Sequence, residues 1–222
     1  PMEWIMRAVN RDIPDNDTLK VAGLDVGKGI SETVHLVLTG RKVTRMDSFH
    51  EPDISKTVGW AKALIKEEKV EVLAVDEGGM AGVASFIEED STIGASVVHV
   101  RFGSKMEGSE DFDNLAAHMW WELRLAFQDG SISIPDDRVL IGQLAGRKYS
   151  PTSRGLQRIT LEPKKDAASR GVESPDRGDA LAMAWWARAS FFGHFDAGAI
   201  ENQSAGFMRE MSTVESPRLK LE

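Results

Sequence analysis

The chain has 222 residues, of which 41% are hydrophobic, and this length and composition suit one domain with a single buried core. The sequence contains no cysteine, which excludes disulfides, thiolate nucleophiles and zinc–thiolate sites and fits a reducing cytoplasm. No apolar run approaches the ~20 residues of a membrane-spanning helix, so no membrane partner is expected. The net charge of −8 excludes an overall basic field for nucleic acid.

Hydrophobic periodicity predicts three strands first, then a helix, then alternating strands and helices. The opening strands are expected at residues 19–26, 33–38 and 43–49, the last two joined by a turn at Gly40. The middle of the chain is expected to form helix 54–68, strand 70–75, helix 81–89 and strand 96–102. The remainder is expected to form helix 115–127, strand 131–134, helix 138–145, strand 156–161 and helix 176–192.

This order of elements predicts an α/β fold with a mixed sheet. Three antiparallel strands followed by βα units place helices on both faces of such a sheet. The order resembles that of the ribonuclease-H-like fold, in which the first strand is central and adjoins the strand after the first helix. We assign residues 19–192 to this domain and residues 193–222, where the periodicity ends, to a flexible C-terminal tail.

Aspartates stand at the ends of predicted elements in three remote segments. Asp25 and Asp76 end two apolar strands, and Asp176 and Asp179 lie in the first turn of the last helix. Carboxylates about 5 Å apart repel by roughly 3 kcal/mol per pair at an effective dielectric constant near 20. Mg²⁺ or Mn²⁺ relieves such repulsion, and two of these ions can promote hydrolysis of one phosphodiester. The segments together therefore favour a two-ion site.

Each acidic segment also fits a simpler role when it is taken alone. Asp25 and Asp76 fit turn residues that follow a strand, and Asp176 fits a cap at a helix N-terminus. A strand that ends in Asp-x-Gly also opens sugar kinases and actin-like ATPases. Asp176 and Asp179 share one helix face and repel each other unless a cation lies between them. The conjunction of the three segments, in this order, favours the metal site.

A basic stretch and several tryptophans complete the sequence features. Residues 147–177 contain eight basic and four acidic side chains, a net charge of +4, so a polyanion could lie along them. The alternative is a solvated loop with incidental charges. The tryptophans within predicted helices are interpreted as core residues: Trp120, Trp121, Trp185 and Trp186.

With these motifs, the chain resembles the C-terminal nuclease domain of the large terminase subunit of tailed bacteriophages. The resemblance extends through most of residues 19–192. It includes the strand before Asp25, the second acidic motif at 75–83 and the closing segment at 159–181, which is its most specific part. Shortly after the first motif, Glu32 is the only further acid.

The resemblance implies a metal-dependent endonuclease that cuts concatemeric double-stranded phage DNA during packaging, in the cytoplasm of the infected host cell. Asp25, Asp76 and Asp179 would be the catalytic, metal-binding triad, and Asp176 a fourth metal ligand. The DNA contacts would come from four basic residues of the closing segment: Lys164, Lys165, Arg170 and Arg158.

The same resemblance implies partners and leaves two alternatives. The partners would be double-stranded DNA, an N-terminal ATPase motor domain, the portal and the small terminase subunit, with residues 1–18 as the remnant of a linker to the motor. The alternatives are a Holliday-junction resolvase of the same fold and a non-catalytic docking module of the packaging motor.

Overall fold

The structure is a computed structural model that describes residues 1–14, 17–78, 82–105, 111–151 and 158–191. Its helices are α1 (Met2–Ala8), α2 (Ile54–Glu68), α3 (Val83–Glu88), α4 (Leu115–Asp129), α5 (Arg138–Gly146), α6 (Lys164–Ser169) and α7 (Asp176–Phe191). Its strands are β1 (Lys20–Asp25), β2 (Thr33–Thr39), β3 (Lys42–Phe49), β4 (Val72–Asp76), β5 (Ser96–Val100), β6 (Tyr149–Pro151) and β7 (Ile159–Leu161). Within the described residues, no helix has the length and apolar character needed to cross a membrane.

Five strands form one mixed sheet with β1 at its centre. The strand order is β3-β2-β1-β4-β5, and a separate two-stranded sheet joins β6 to β7. β1, β2 and β3 pair antiparallel, whereas β4 and β5 add in parallel to β1. The predicted fold class, a ribonuclease-H-like α/β sheet that begins with three antiparallel strands, is confirmed.

Helices cover both faces of this sheet because alternate residues of its central strands are apolar on both sides. On one face, Ala22 and Leu24 of β1 pack with α2 and α3. On the other face, Val21 packs in a second cluster with residues of α1, α4, α5 and α7. β1 and β4 are therefore apolar almost throughout, as buried parallel strands usually are.

α7 packs directly against β1, and a glycine permits this close approach. A Cβ atom at Gly23 would lie 2.0 Å from the carbonyl oxygen of Ala180, which no larger residue could tolerate. Asp25 follows two residues later and so points to the same face of the sheet as Gly23. The acidic end of β1 is thereby placed close to the first turns of α7.

The longer predicted elements are confirmed with small shifts at their ends, and the differences concern short elements. The strand predicted at 131–134 is wrong, because Ser133 and Ile134 form only isolated bridges to Lys42 and Val9. Three short elements, α1, β6 and α6, were not predicted. The strand predicted at 156–161 is shorter, beginning at Ile159, and its first two residues lie outside the described residues.

The proposed domain boundaries remain a prediction. Residues 193–222, predicted to be a flexible tail, lie outside the described residues, as do 79–81 in the second acidic motif. Residues 2–8, within the predicted linker remnant, form α1, which buries Ile5 and Ala8 in the core on the α7 side of the sheet.

Candidate active site

Asp25 and Asp76 lie side by side at the carboxyl ends of two neighbouring parallel strands. β1 and β4 pair in a register that matches Leu24 with Val75, so the next step of this register places Asp25 opposite Asp76. Adjacent strands are about 4.8 Å apart. The two residues are only 6% and 8% exposed, respectively. The Oδ1 atom of Asp76 accepts a hydrogen bond of 2.9 Å from the backbone N–H of Gly78.

Asp176 and Asp179 are presented by the first turn of α7, which other segments hold in place. The Oε1 atom of Gln143 accepts hydrogen bonds of 2.8 and 3.1 Å from the N–H groups of Arg177 and Gly178. The backbone N–H of Glu32 donates to Oδ2 of Asp176 at 3.2 Å. Both aspartates are buried, and the positive end of the helix dipole favours their charge.

Asp179 is held by two donors of different kinds. The indole Nε1 of Trp120 donates to its Oδ1 at 2.8 Å, and the ammonium group of Lys164 donates to its Oδ2 at 2.9 Å. A Cβ atom at Gly178 would lie 2.6 Å from the Trp120 ring, so glycine at this position lets the indole come close to the helix. Both carboxylate oxygens of Asp179 are therefore engaged.

The aspartates interact strongly because they share one buried place. Burial, the charge of Asp179 and, less strongly, the charges of Asp176 and Asp76 raise the pKa of Asp25 well above its ordinary value, while Lys164 opposes the rise. Burial also raises the pKa of Asp176, against the hydrogen bond from Ser174. Burial works to lower the pKa of Lys164, but Asp179, Asp25 and Asp176 outweigh it and raise that pKa. The structure thus brings all four predicted acids together, with the ammonium group of Lys164 beside Asp25, Asp176 and Asp179.

The donor set suits a divalent cation by its chemistry. Carboxylate oxygens are the ligands that Mg²⁺ and Mn²⁺ prefer. The single positive charge of Lys164 does not balance the four aspartates if all of them are ionised. In the described part of the chain, no three His, Cys, Asp or Glu side chains are already arranged to hold one ion. An ion would therefore require a shift of these side chains, including release of Asp179 by Lys164.

Glu32, the further acid of the first motif, takes part in a different network. Arg177 donates from Nε and Nη2 to its two carboxylate oxygens at 3.0 and 3.2 Å. The same guanidinium group contacts Asp137 at 2.8 Å. This network ties the N-terminal ends of α5 and α7 to the loop after β1, and it occupies the carboxylate of Glu32.

A cleft of about 490 Å³ opens above the acids. Asp76 and Asp179 line it, together with three cationic side chains from separate elements, Lys164, Arg101 and Arg147. A larger cavity of about 660 Å³ between α1, α4 and α5 has a mainly apolar lining without a carboxylate among the described residues. The acidic cleft is therefore the candidate active site.

Of the four basic residues predicted to contact DNA, the structure brings only Lys164 into this cleft. Arg170 is paired with Glu162 at 2.9 and 2.5 Å, and Lys165 and Arg158 are not among the residues that line the cleft. Arg101 and Arg147 were not assigned to the site from the sequence. Arg101 had a readable signal, because it directly follows β5, whose carboxyl end lies beside that of β4.

The chain matches no protein-family model and no curated protein sequence. Its structure is similar to a mutant nuclease domain of the large terminase subunit gp2 of bacterial virus Sf6 with manganese, at 16% identity and a TM-score of 0.69, covering 83% of this chain and 97% of that one. It is also similar to the large terminase nuclease from thermophilic phage G20c with bound magnesium, at 18% identity and a TM-score of 0.57, covering 77% and 82%. The large terminase nuclease domain of Thermus phage P74-26 matches at 17% identity and a TM-score of 0.57, covering 83% and 93%.

These similarities extend over nearly the whole length of the matched nuclease domains and over most of this chain. At such low identity they are likenesses of fold, and they agree with the resemblance predicted from the acidic motifs. The chain has the fold of the nuclease domains of phage large terminase subunits.

Proposed function

We propose that this protein is a divalent-metal-dependent endonuclease that hydrolyses phosphodiester bonds of double-stranded DNA. The observation that carries the proposal is the meeting of Asp25, Asp76, Asp176 and Asp179, from three remote segments, at one place on this fold. Buried charges of one sign are costly and are rarely gathered without a ligand that compensates them. The similar domains from Sf6 and G20c contain manganese and magnesium, respectively, which supports an ion of this type here.

In this proposal, Asp25, Asp76 and Asp179 hold two ions of Mg²⁺ or Mn²⁺, and Asp176 is a fourth ligand. The bound ions would supply Lewis acidity, which lowers the pKa of an attacking water and offsets charge on the phosphate. Trp120 would keep Oδ1 of Asp179 in a fixed direction. Lys164 would offer its ammonium group to a phosphate oxygen.

We further propose that the substrate is concatemeric phage DNA, cut during genome packaging in the cytoplasm of the infected host cell. The net charge of −8 supports a role within a larger assembly, because the chain alone should bind DNA weakly. An ATPase motor domain, the portal and the small terminase subunit would hold the DNA and raise its effective concentration at the cleft.

The test is cleavage of a supercoiled plasmid by the 222-residue chain in Mn²⁺ or Mg²⁺. We expect nicked and linear products that disappear with a chelator and with Asp25→Asn. Because the pKa of Asp25 is raised, the neutral amide should keep or increase thermal stability at neutral pH, so the loss of cleavage would not be a folding defect. Asp166→Asn, at an exposed position of α6, should cut like the wild type.

Cleavage assays with different DNA substrates separate the two alternatives. A junction resolvase would cut a four-way junction in preference to linear duplex, whereas the proposed enzyme should show no such preference. A docking module would leave the plasmid intact at every metal concentration, although it remained folded. Either result would overturn the proposal.

A further inference from the structure

Two arginines from different elements line the acidic cleft. Arg101 bonds Glu77, the residue after Asp76, with its Nε atom 2.5 Å from the carboxylate. Arg147 lies against the ring of Trp120, the residue that bonds Asp179, with its guanidinium carbon 5.2 Å from the ring centre. Both line the same cleft as Asp76 and Asp179. Arg101 is therefore tied to the segment that carries Asp76, and Arg147 to the residue that bonds Asp179.

Among the described residues Arg147 forms no salt bridge, although its charge acts on the nearby carboxylate of Glu162, which is itself paired with Arg170. Its Nη1 atom donates to the backbone carbonyl of Glu162 at 3.2 Å, and its buried Nε atom has no hydrogen-bond partner among the described residues. Other arginines nearby differ, because Arg170 binds carboxylate through two nitrogen atoms and Arg177 through three. A partly buried guanidinium group with an unused N–H donor and no salt bridge to the described residues, at the wall of a cleft, suits an anionic ligand.

Arg101 is anchored at one atom and open at the others. Glu77 accepts from its Nε atom and also contacts His99 at 2.5 Å, which fixes the carboxylate between two cationic partners. The side chain of Arg101 is 74% exposed, and its two terminal nitrogens bond none of the described residues. These nitrogens are thus free to bind a ligand that enters the cleft.

We propose that Arg101 and Arg147 bind two backbone phosphates on either side of the bond that is cut, so that one DNA strand crosses from the end of β5 to the end of α5. This inference rests on the proposed function and assigns the substrate path at the same site. Planar guanidinium groups match phosphate oxygens in geometry, and they supply the local attraction that an acidic cleft lacks for a polyanion.

The test measures binding without cleavage. Fluorescence anisotropy of a labelled duplex of about 20 base pairs is followed in EDTA over a series of low salt concentrations, with the full 222-residue chain. Arg101→Gln and Arg147→Gln should each weaken binding roughly three- to tenfold and reduce the slope of log affinity against log salt by about 1. Arg138→Gln, an exposed arginine at the start of α5 outside the cleft, should match the wild type.

The outcomes separate this inference from the proposed function. If the wild type cuts plasmid and binds duplex, but both cleft variants bind with wild-type affinity and slope, the inference is overturned and the nuclease proposal stands. If the wild type cuts nothing while the two variants bind more weakly than Arg138→Gln, the nuclease proposal fails, and the two arginines remain phosphate contacts of a site that does not cut. Should Arg147→Gln unfold, as a circular-dichroism melt would show, Arg101→Gln decides alone because its side chain is exposed.

Discussion

Asp179 shows how one carboxylate can be both oriented and neutralised. The indole N–H of Trp120 fixes one oxygen, and the ammonium group of Lys164 balances the charge at the other. A hydrogen bond to a charged group contributes about 1.5–3 kcal/mol. Trp120 is therefore a positioning residue for Asp179, and its backbone carbonyl is itself held by the hydroxyl of Tyr149 at 2.7 Å.

Replacing Trp120 by phenylalanine removes the indole N–H donor and keeps a smaller aromatic ring at the same place. We expect Trp120→Phe to bind Mn²⁺ roughly tenfold more weakly, because groups that orient a metal ligand affect affinity by about 10- to 100-fold. Isothermal titration calorimetry with Mn²⁺ measures this.

Trp121→Phe is the matched control for this prediction. Trp121 is buried on the same helix but packs against Phe112 and Tyr149. The Trp121→Phe variant should bind Mn²⁺ with wild-type affinity. Equal Mn²⁺ affinities of the two variants would contradict the assigned role of Trp120.

At this scale the sequence locates the acids that the structure brings together, whose roles remain predictions, but it does not locate the residues that support them. Asp25, Asp76, Asp176 and Asp179 were identified because a carboxylate at the end of an apolar strand or helix is a local signal. The interpretation of Trp120 as a core residue is correct for its ring, which is 3% exposed. The direction of its N–H depends on how α4 packs against α7, and no local pattern records that.

Among the elements, α7 and β1 form the contact that positions the acids. Gly23 lets the helix backbone approach the strand, and Gly178 lets the Trp120 ring approach the helix. Asp25 and Asp179 therefore depend on two close contacts between different elements. Any side chain at Gly23 would push α7 away from the strand that carries Asp25.

Gly23→Ala should destabilise the protein strongly. Overpacking of a buried site costs about 1–3 kcal/mol and occasionally more, and a contact of 2.0 Å to backbone leaves little room for relaxation. We expect a loss of about 3 kcal/mol or more in the free energy of unfolding, measured by urea denaturation.

Gly59→Ala is the matched control for Gly23→Ala. It adds the same Cβ atom within α2, where that atom would meet nothing within 4 Å. It should stabilise the protein by about 0.5–1 kcal/mol, since glycine is unfavourable inside a helix. A stable Gly23→Ala variant would refute the close approach of α7 to β1.

Long helices with a repeated apolar pattern were predictable from the sequence, whereas short elements that depend on contacts with other parts of the chain were not. α2 and α4 carry enough apolar repeats to be recognised from the sequence alone, and Asp53 and Asn114 cap their N-termini. α1, β6 and α6 contain only three to seven residues each. Such short segments are marginal in isolation and form through contacts with the rest of the protein, such as the burial of Ile5 and Ala8 of α1 and of Ala167 of α6.

For the whole molecule, the buried histidines and the buried acids have opposite effects on how folding stability depends on pH. Burial lowers the pKa of His35 to about 4 and that of His118 to about 4, and it raises the pKa of Glu122 to about 7. Protonation of either histidine favours unfolding, whereas protonation of Glu122 and Asp25 favours the folded state. The stability profile is the sum of these opposing contributions.

The contribution of His35 can be isolated. Its ordinary pKa is 6.5, so the unfolded chain binds a proton below that pH while the folded protein stays neutral to about pH 4. Stability is therefore lost as pH falls through this window, by about 2 kcal/mol between pH 7 and 4.5. Urea denaturation at several pH values measures the free energy of unfolding. Between pH 7 and 4.5, His35→Gln should lose about 2 kcal/mol less than the wild type, whatever the stability of the variant at pH 7. Parallel pH profiles of the two proteins would contradict it.

Lys164 acts as an internal counterion of the aspartates, which affects the order in which divalent ions and DNA would bind. While its ammonium group rests on Asp179, the aspartates are partly neutralised and attract a divalent ion less strongly. An incoming phosphate would compete for that ammonium group, and its departure would expose an oxygen of Asp179. In the proposed enzyme, nucleic acid and ions would therefore promote each other's entry, and the protein without DNA would bind divalent metal more weakly than the DNA-bound protein.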